Sequence, residues 1–177
     1  LSLPSYTATT PKEQLVSKGA ISGPVNQIGD GGINATYTGM IDGTKVMIKP
    51  VNGLYDGQIR QNIPTGHDGE REVAGYLVTK RMGIEAPATV VRADTPHGPA
   101  IVQEWVTGAT IGARYHEGVE RATNLNQIAL LDAVIGNEDR HAKNYYVTPD
   151  AKIIPIDHGL AFPHAGVTRG NENIIRA

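Results

Sequence analysis

The stretch that most constrains this chain is a run of nine mostly polar residues, Gly136-Asn137-Glu138-Asp139-Arg140-His141-Ala142-Lys143-Asn144, held between two apolar segments. Ahead of it, Leu125, Ile128, Leu131 and Ile135 recur at helical spacing over Asn124–Ile135, and Gly136-Asn137 has the composition of a helix stop. Behind it come two short strand-like runs, Tyr145–Val147 and Ile153–Ile156, around a Pro149-Asp150 turn. The second run delivers Asp157-His158-Gly159. A hairpin this short returns Asp157 to the side of Asn144, so a helix end, a polar loop and a strand end must converge. A polar loop after a helix, or an Asp in a turn, is commonplace singly. The two joined by one short hairpin confine Asp139, Asn144 and Asp157 to one neighbourhood.

The first half reads as mostly β. Ala35–Ile41 and Thr44–Lys49 flank Asp42-Gly43, a pair suited to a two-residue turn with positive φ at both positions. Pro87–Ala93 and Pro99–Val106 form a second hairpin around Asp94-Thr95-Pro96-His97-Gly98. Between the hairpins, Asn52–Gly69 reads as a long loop and Glu70–Met82 as a helix, with acids in its first turn, Lys80-Arg81 in its last and Gly83 beyond. Residues 1–22 read as an irregular lead-in with one short helix near Lys12–Ser17. Strands and helices are partly segregated, which points to an α+β fold in two lobes.

Composition narrows the function. There are no cysteines, so disulfides, thiolate metal sites and a thiol nucleophile are excluded, and a reducing compartment fits. The net charge of −2 gives no basic field to attract nucleic acid. No apolar run has the length of a membrane span, and Leu1-Ser2-Leu3-Pro4-Ser5 does not read as a secretory signal. The expected location is cytoplasmic, including a host cytosol for a delivered effector or phage protein. The six histidines lack metal-finger or helical pairing. Neither Gly-x-x-x-x-Gly-Lys-Ser/Thr nor Gly-x-Ser-x-Gly occurs.

Phosphoryl transfer needs a carboxylate by the attacking hydroxyl, oxygen ligands for Mg²⁺, a cation on the phosphates and a backbone to cover them. Asp139 and Asn144 have the five-residue offset of the catalytic Asp and metal-binding Asn of protein kinases. Asp139 would orient and deprotonate the acceptor; Asn144 would hold a metal through its amide oxygen. Asp157, at the end of an apolar strand and two residues before Gly159, has the setting of the second metal carboxylate. His141 and His158 read as supports for the loops around these carboxylates.

Asp139-Arg140-His141 with Asn144, followed by Ile156-Asp157-His158-Gly159-Leu160-Ala161-Phe162, resembles the phosphatidylinositol 3/4-kinase-like superfamily, above all its small bacterial and phage members, and more distantly HipA-type kinases. The resemblance spans about Gly29 to Phe162 and implies a bilobal protein-kinase-like fold: an N-lobe over 23–106 and a reduced or truncated C-lobe over 107–177, since only twenty residues follow Asp157. It implies ATP and Mg²⁺, or Mn²⁺, as cofactors, and transfer of the γ-phosphoryl group to a protein or lipid hydroxyl. It puts Lys49 on the phosphates, Glu72 in an ion pair with Lys49 with Glu70 as rival, Gly29, Gly31 and Gly32 over the phosphates, and the backbone of Glu104 and Val106 at adenine. A nucleotide-binding module without transfer activity is the alternative.

Overall fold

The computed structural model describes residues 7–28, 35–51, 63, 66–115 and 119–163. The chain begins with helix α1 (Pro11–Lys18), which carries a complete capping box: Thr10 caps the Glu13 amide and Glu13 reaches back to the Thr10 amide. Strands β1 (Ile21–Ile28), β2 (Thr36–Ile41) and β3 (Thr44–Pro50) follow, then helix α2 (Asp68–Arg81), and strands β4 (Thr89–Thr95) and β5 (Gly98–Glu104). These five strands make one antiparallel sheet in the order β1-β2-β3-β5-β4. Beyond it lie the two-residue strand β6 (Thr110–Ile111), helix α3 (Leu125–Ile135), β7 (Tyr145–Val147) and β8 (Ile153–Pro155). The last three strands form a second sheet, β6-β7-β8.

The turn predicted at Asp42-Gly43 has φ of 47° and 78°, the two positive values that a type I′ hairpin demands. Alternation then sorts the faces of β3. Val46 and Ile48 are fully buried in a core with Val16, Ile41, Val90 and Val102, and Lys49 falls on the opposite face. A second core gathers Ile128, Leu131 and Ile135 of α3 with Val147, Ile153 and Ala161. Two separate cores give two lobes, as the α+β expectation required. Helix α2 spans them: Val73 and Tyr76 are buried, while Val78 and Met82 pack on the second core.

Four features depart from the expected elements. Strand β1 begins at Ile21, inside the stretch expected to be irregular; it is an edge strand with few buried residues, a Pro and an irregular register, so its sequence lacks alternation. Strand β6 lies between the second expected hairpin and the helix expected from Asn124, too short to leave a periodic signal. Helix α2 starts two residues earlier, at Asp68, and β8 ends at Pro155, one residue short of Ile156, whose N–H still donates in register to the Asn144 carbonyl at 3.1 Å. The expected long loop over Asn52–Gly69 lies mostly outside the described residues. Among the described residues no helix is long and apolar enough to cross a membrane.

Candidate phosphoryl-transfer site

Helix α3 ends at Gly136, whose φ of 63° is the left-handed cap that turns the chain sharply into the polar loop. The loop is then fixed by a buried polar hub. Arg140, 2 % exposed, forks onto Asp132 of α3 at 3.0 Å. Its Nη1 donates to the carbonyls of both Asn144 and Ile156, each at 2.6 Å. One guanidinium thus ties the helix, the end of the loop and the residue before Asp157. Asn137, also buried, donates to Asp132 Oδ1 at 3.1 Å, and its own Oδ1 accepts the Asp139 amide at 3.0 Å. Arg is suited to this because its planar fork serves several acceptors at fixed angles.

The hub sets the three predicted residues. Asn144 is buried, and its Nδ2 donates to the Asp139 carbonyl at 2.7 Å and to Asp139 Oδ2 at 3.2 Å. The Asn144 Oδ1 accepts no donor among the described residues. Asp157 has φ of 56°, a left-handed backbone uncommon for a residue with a Cβ. Its Oδ1 accepts from Lys49 Nζ at 3.1 Å, across 108 residues of sequence. Burial alone would push the Asp157 carboxyl up and Lys49 down. The mutual attraction outweighs burial on both sides: Lys49, with help from His158 and Arg140, holds Asp157 below the usual carboxylate range, and Asp157 and Glu72 hold Lys49 above the usual ammonium range.

The expected Lys49–Glu72 ion pair is not what forms. Lys49 pairs with Asp157, and Glu72 is taken by the residue after it: the His158 amide donates to Glu72 Oε2 at 2.6 Å, with His158 Nδ1 3.5 Å from Oε1. Glu72 still contributes to the field at Lys49. Of the two candidate acids of α2, Glu72 is the buried one, bonded to the His158 amide, whereas Glu70 faces His67 at 3.7 Å. The neighbouring Arg71 donates to the Gly159 carbonyl at 2.5 Å. Gly75 completes the seat: a Cβ there would lie 2.4 Å from the His158 Cβ, so α2 can approach the loop this closely only with glycine. His141 sits on the exposed side of the loop, its Nδ1 accepting the Lys143 amide at 3.2 Å.

At the end of β5, Glu104 is committed through its side chain to Lys12 of α1 at 2.6 Å and through its N–H to the Ala88 carbonyl at 2.9 Å, leaving only its carbonyl for a nucleotide. The Val106 N–H has no protein acceptor among the described residues. Gly29, Gly31 and Gly32 lie outside the described residues. Sequence reasoning missed the Asp132–Arg140 hub and the Arg71 and Gly75 contacts. Asp132 did leave a signal, an acid on the apolar stripe of α3 between Leu131 and Ile135. Arg71 and Gly75 left none.

The donor set fits a hard divalent cation. Asn144 Oδ1 and the Asp157 carboxylate are oxygen donors on segments joined by the Ile156 N–H to Asn144 carbonyl bond, and Mg²⁺ characteristically takes one or two carboxylates and completes its shell with phosphate oxygens and water. Among the described residues no group of three or more His, Asp or Glu converges as a self-sufficient metal cage, so these ligands would hold a metal together with a phosphate.

Residues 121–174 match the family "Phosphatidylinositol 3- and 4-kinase". Phosphatidylinositol 4-kinase gamma 1 of Arabidopsis thaliana is 28% identical over 59% of this chain and 23% of that protein. Phosphatidylinositol 4-kinase gamma 5 of the same plant is 26% identical over 59% of this chain and 21% of its own length. The chain therefore spans about a quarter of these curated relatives. Among solved structures, the Helicobacter pylori proinflammatory kinase CtkA shares the fold with a TM-score of 0.51 at 16% identity, over 82% of this chain and 58% of that one. The family match over residues 121–174 and the similarity to the plant kinases support an assignment to the phosphatidylinositol 3/4-kinase-like superfamily, and the structural neighbour agrees with it in fold.

Proposed function

We propose that this chain is the nucleotide-binding and phosphoryl-transfer core of an ATP- and Mg²⁺-dependent kinase. The observation that carries the reading is the 3.1 Å contact of Lys49 with Asp157, beside Asn144 and Asp139 bonded to each other at 3.2 Å. Four residues of the types that phosphoryl transfer requires, Lys49, Asp139, Asn144 and Asp157, thereby come from two lobes and separate segments of sequence.

In this reading Lys49 binds the phosphate oxygens, and Glu72, through its field, keeps that ammonium charged. Asn144 and Asp157 would hold Mg²⁺, which when bound neutralises charge on the bridging phosphates. Asp139 accepts a hydrogen bond from the acceptor hydroxyl and takes its proton as the oxygen attacks. The bond from Asn144 Nδ2 keeps one Asp139 oxygen directed, and the left-handed backbone at Asp157 aims its carboxylate into the cleft. The exposed backbone of Val106, with that of Glu104, would take the adenine edge.

The acceptor is a hydroxyl of a protein or a lipid. The curated relatives are named as phosphatidylinositol 4-kinases, which favours a lipid hydroxyl. Incubation with γ-labelled ATP and Mg²⁺, with phosphoinositide vesicles in one arm and a basic protein acceptor in the other, tests the reading. Label in either acceptor that disappears with Asp139→Ala supports it; no label in any arm, including on the chain itself, contradicts it.

A further inference from the structure

Helix α1 contributes no predicted site residue, yet it is bolted to α2 and β5, which build the site described above, and to β4 beside them. We propose that α1 is a strut that fixes the axial position of α2, and through α2 the Asp157–Gly159 loop, with Glu13, Tyr76 and Lys80 as the joint. Its consequence for magnesium–nucleotide binding rests on the kinase reading; the mechanical coupling stands independently.

Glu13 is fully buried. Its Oε2 accepts the amides of Thr9 and Thr10 at 2.8 and 2.9 Å, which commits that oxygen to the start of α1. Its Oε1 accepts the Tyr76 hydroxyl and the Lys80 ammonium, each at 2.6 Å, which commits the other to α2. A buried carboxylate held this way adds little net stability over an apolar group of equal volume, and its best-attested use is to fix register. Packing alone would tolerate sliding of α2 by a fraction of a turn. Two short charge-assisted bonds to one oxygen do not.

Helix α1 is itself anchored to the sheet. Val16 is fully buried in the first core, and Arg92 of β4 donates to the carbonyls of Val16 and Gly19 at 3.3 and 2.7 Å. Lys12 reaches Glu104 at the end of β5. From this fixed base the joint acts on Tyr76 and Lys80, one and two turns beyond Glu72 on the same side of α2. A helix transmits an axial shift undiminished over so short a span. At the other end the loop has no freedom to ignore it: Arg71 holds the Gly159 carbonyl, Glu72 the His158 amide, and Gly75 lies against the His158 ring. The line of contact therefore runs from sheet to α1, to α2, to Asp157.

The test uses two variants of the full chain. Tyr76→Phe removes one bond. Glu13→Gln/Tyr76→Phe/Lys80→Met removes the joint together with its charge, so no unpaired carboxylate is left buried to unfold the protein. Amide exchange is followed by NMR at His158, whose N–H donates to Glu72, and at Val46 and Ile48 of β3 in the same sample, with Mg²⁺-ATP affinity measured in parallel. The strut predicts that His158 exchanges about tenfold faster in the triple variant, and less so in Tyr76→Phe, while the β3 amides keep their rates. It also predicts Mg²⁺-ATP binding about tenfold weaker. Unchanged exchange at His158, or equal acceleration at His158 and β3, overturns it, because the joint would then be only local or only a contributor to global stability. Selective acceleration at His158 in a protein that binds no Mg²⁺-ATP keeps the strut and rejects the kinase reading. Normal nucleotide binding with no response at His158 does the reverse.

Discussion

The two lobes reach order by different means. In the first, the sheet β1-β2-β3-β5-β4 is specified by alternation: Val46 and Ile48 face a core shared with Val90 and Val102, and the backbone ladders do the rest. Many apolar contacts of similar size share the stabilisation, so no single one is decisive. In the second, the polar loop cannot bury itself by apolar contact. Its shape depends on one guanidinium, Arg140, with one carboxylate partner and two carbonyls. Redundant packing makes a scaffold that tolerates change, whereas a non-redundant polar hub makes a site whose atoms are fixed but which fails abruptly.

The sharpest way to break the comparison is at the hub. Arg140→Met leaves Asp132 buried without its cation, a cost on the order of 3–5 kcal/mol, and should lower Tm more than any apolar truncation of similar size in the sheet. Arg140→Met/Asp132→Leu should recover much of that stability in urea melts, yet bind Mg²⁺-ATP poorly, because the Ile156 carbonyl loses its donor and the Asn144 carbonyl keeps only the Ile156 N–H. Full recovery of binding in the double variant would show that the hub stabilises without positioning.

Next in size come the site residues. Asp157→Ala should weaken Mg²⁺-ATP binding by at least about tenfold, whereas Asp139→Ala should leave it within about threefold and remove transfer, since Asp139 faces the acceptor. Equal losses of affinity would mean that the two roles are misassigned. For Glu72, Glu72→Gln keeps an acceptor for the His158 amide and should retain more nucleotide affinity than Glu72→Ala, while Glu70→Ala on the outer face should be near neutral. Isothermal titration separates these cases.

In the sheet, Ile48→Val removes one methylene from a fully buried position and should cost about 0.5–1.5 kcal/mol with nucleotide affinity unchanged. The smallest effect belongs to Lys12→Ala, whose exposed ammonium on Glu104 should be worth under about 1 kcal/mol in melts at moderate salt. An Ile48→Val variant that lost nucleotide binding would show that the sheet is less tolerant than its alternation implies.

The same contrast decides what could be read beforehand. The hairpin at Asp42-Gly43, the helical stripe of α3 and the return of Asp157 to Asn144 were legible because each is a local pattern with a period or a turn residue behind it. Strand β1 was not, since an edge strand with Gly23 and Pro24 carries no alternation. The closeness of Asp139, Asn144 and the segment that carries Asp157 was legible from spacing on a loop and a strand end. The partners of Lys49 and Glu72 were not, because both acids, Asp157 and Glu72, lie near the ammonium and only the three-dimensional seat of His158 on Gly75 decides which one it bonds. Arg140 stood in the polar run as an ordinary surface residue would; that it is buried follows from Asp132, eight residues earlier, and from two carbonyls that no residue type announces.

The central claim is that Lys49, Asn144 and Asp157 bind nucleotide phosphates and metal as one site. Isothermal titration of the wild-type chain with ATP, with and without Mg²⁺, and of Asn144→Ala and Asp157→Ala under the same conditions, tests it most directly. The account predicts binding that depends on Mg²⁺ in the wild type and that is weakened by at least about tenfold in both variants. Binding of equal strength without Mg²⁺, or no binding by the folded wild-type chain at millimolar ATP, would contradict it.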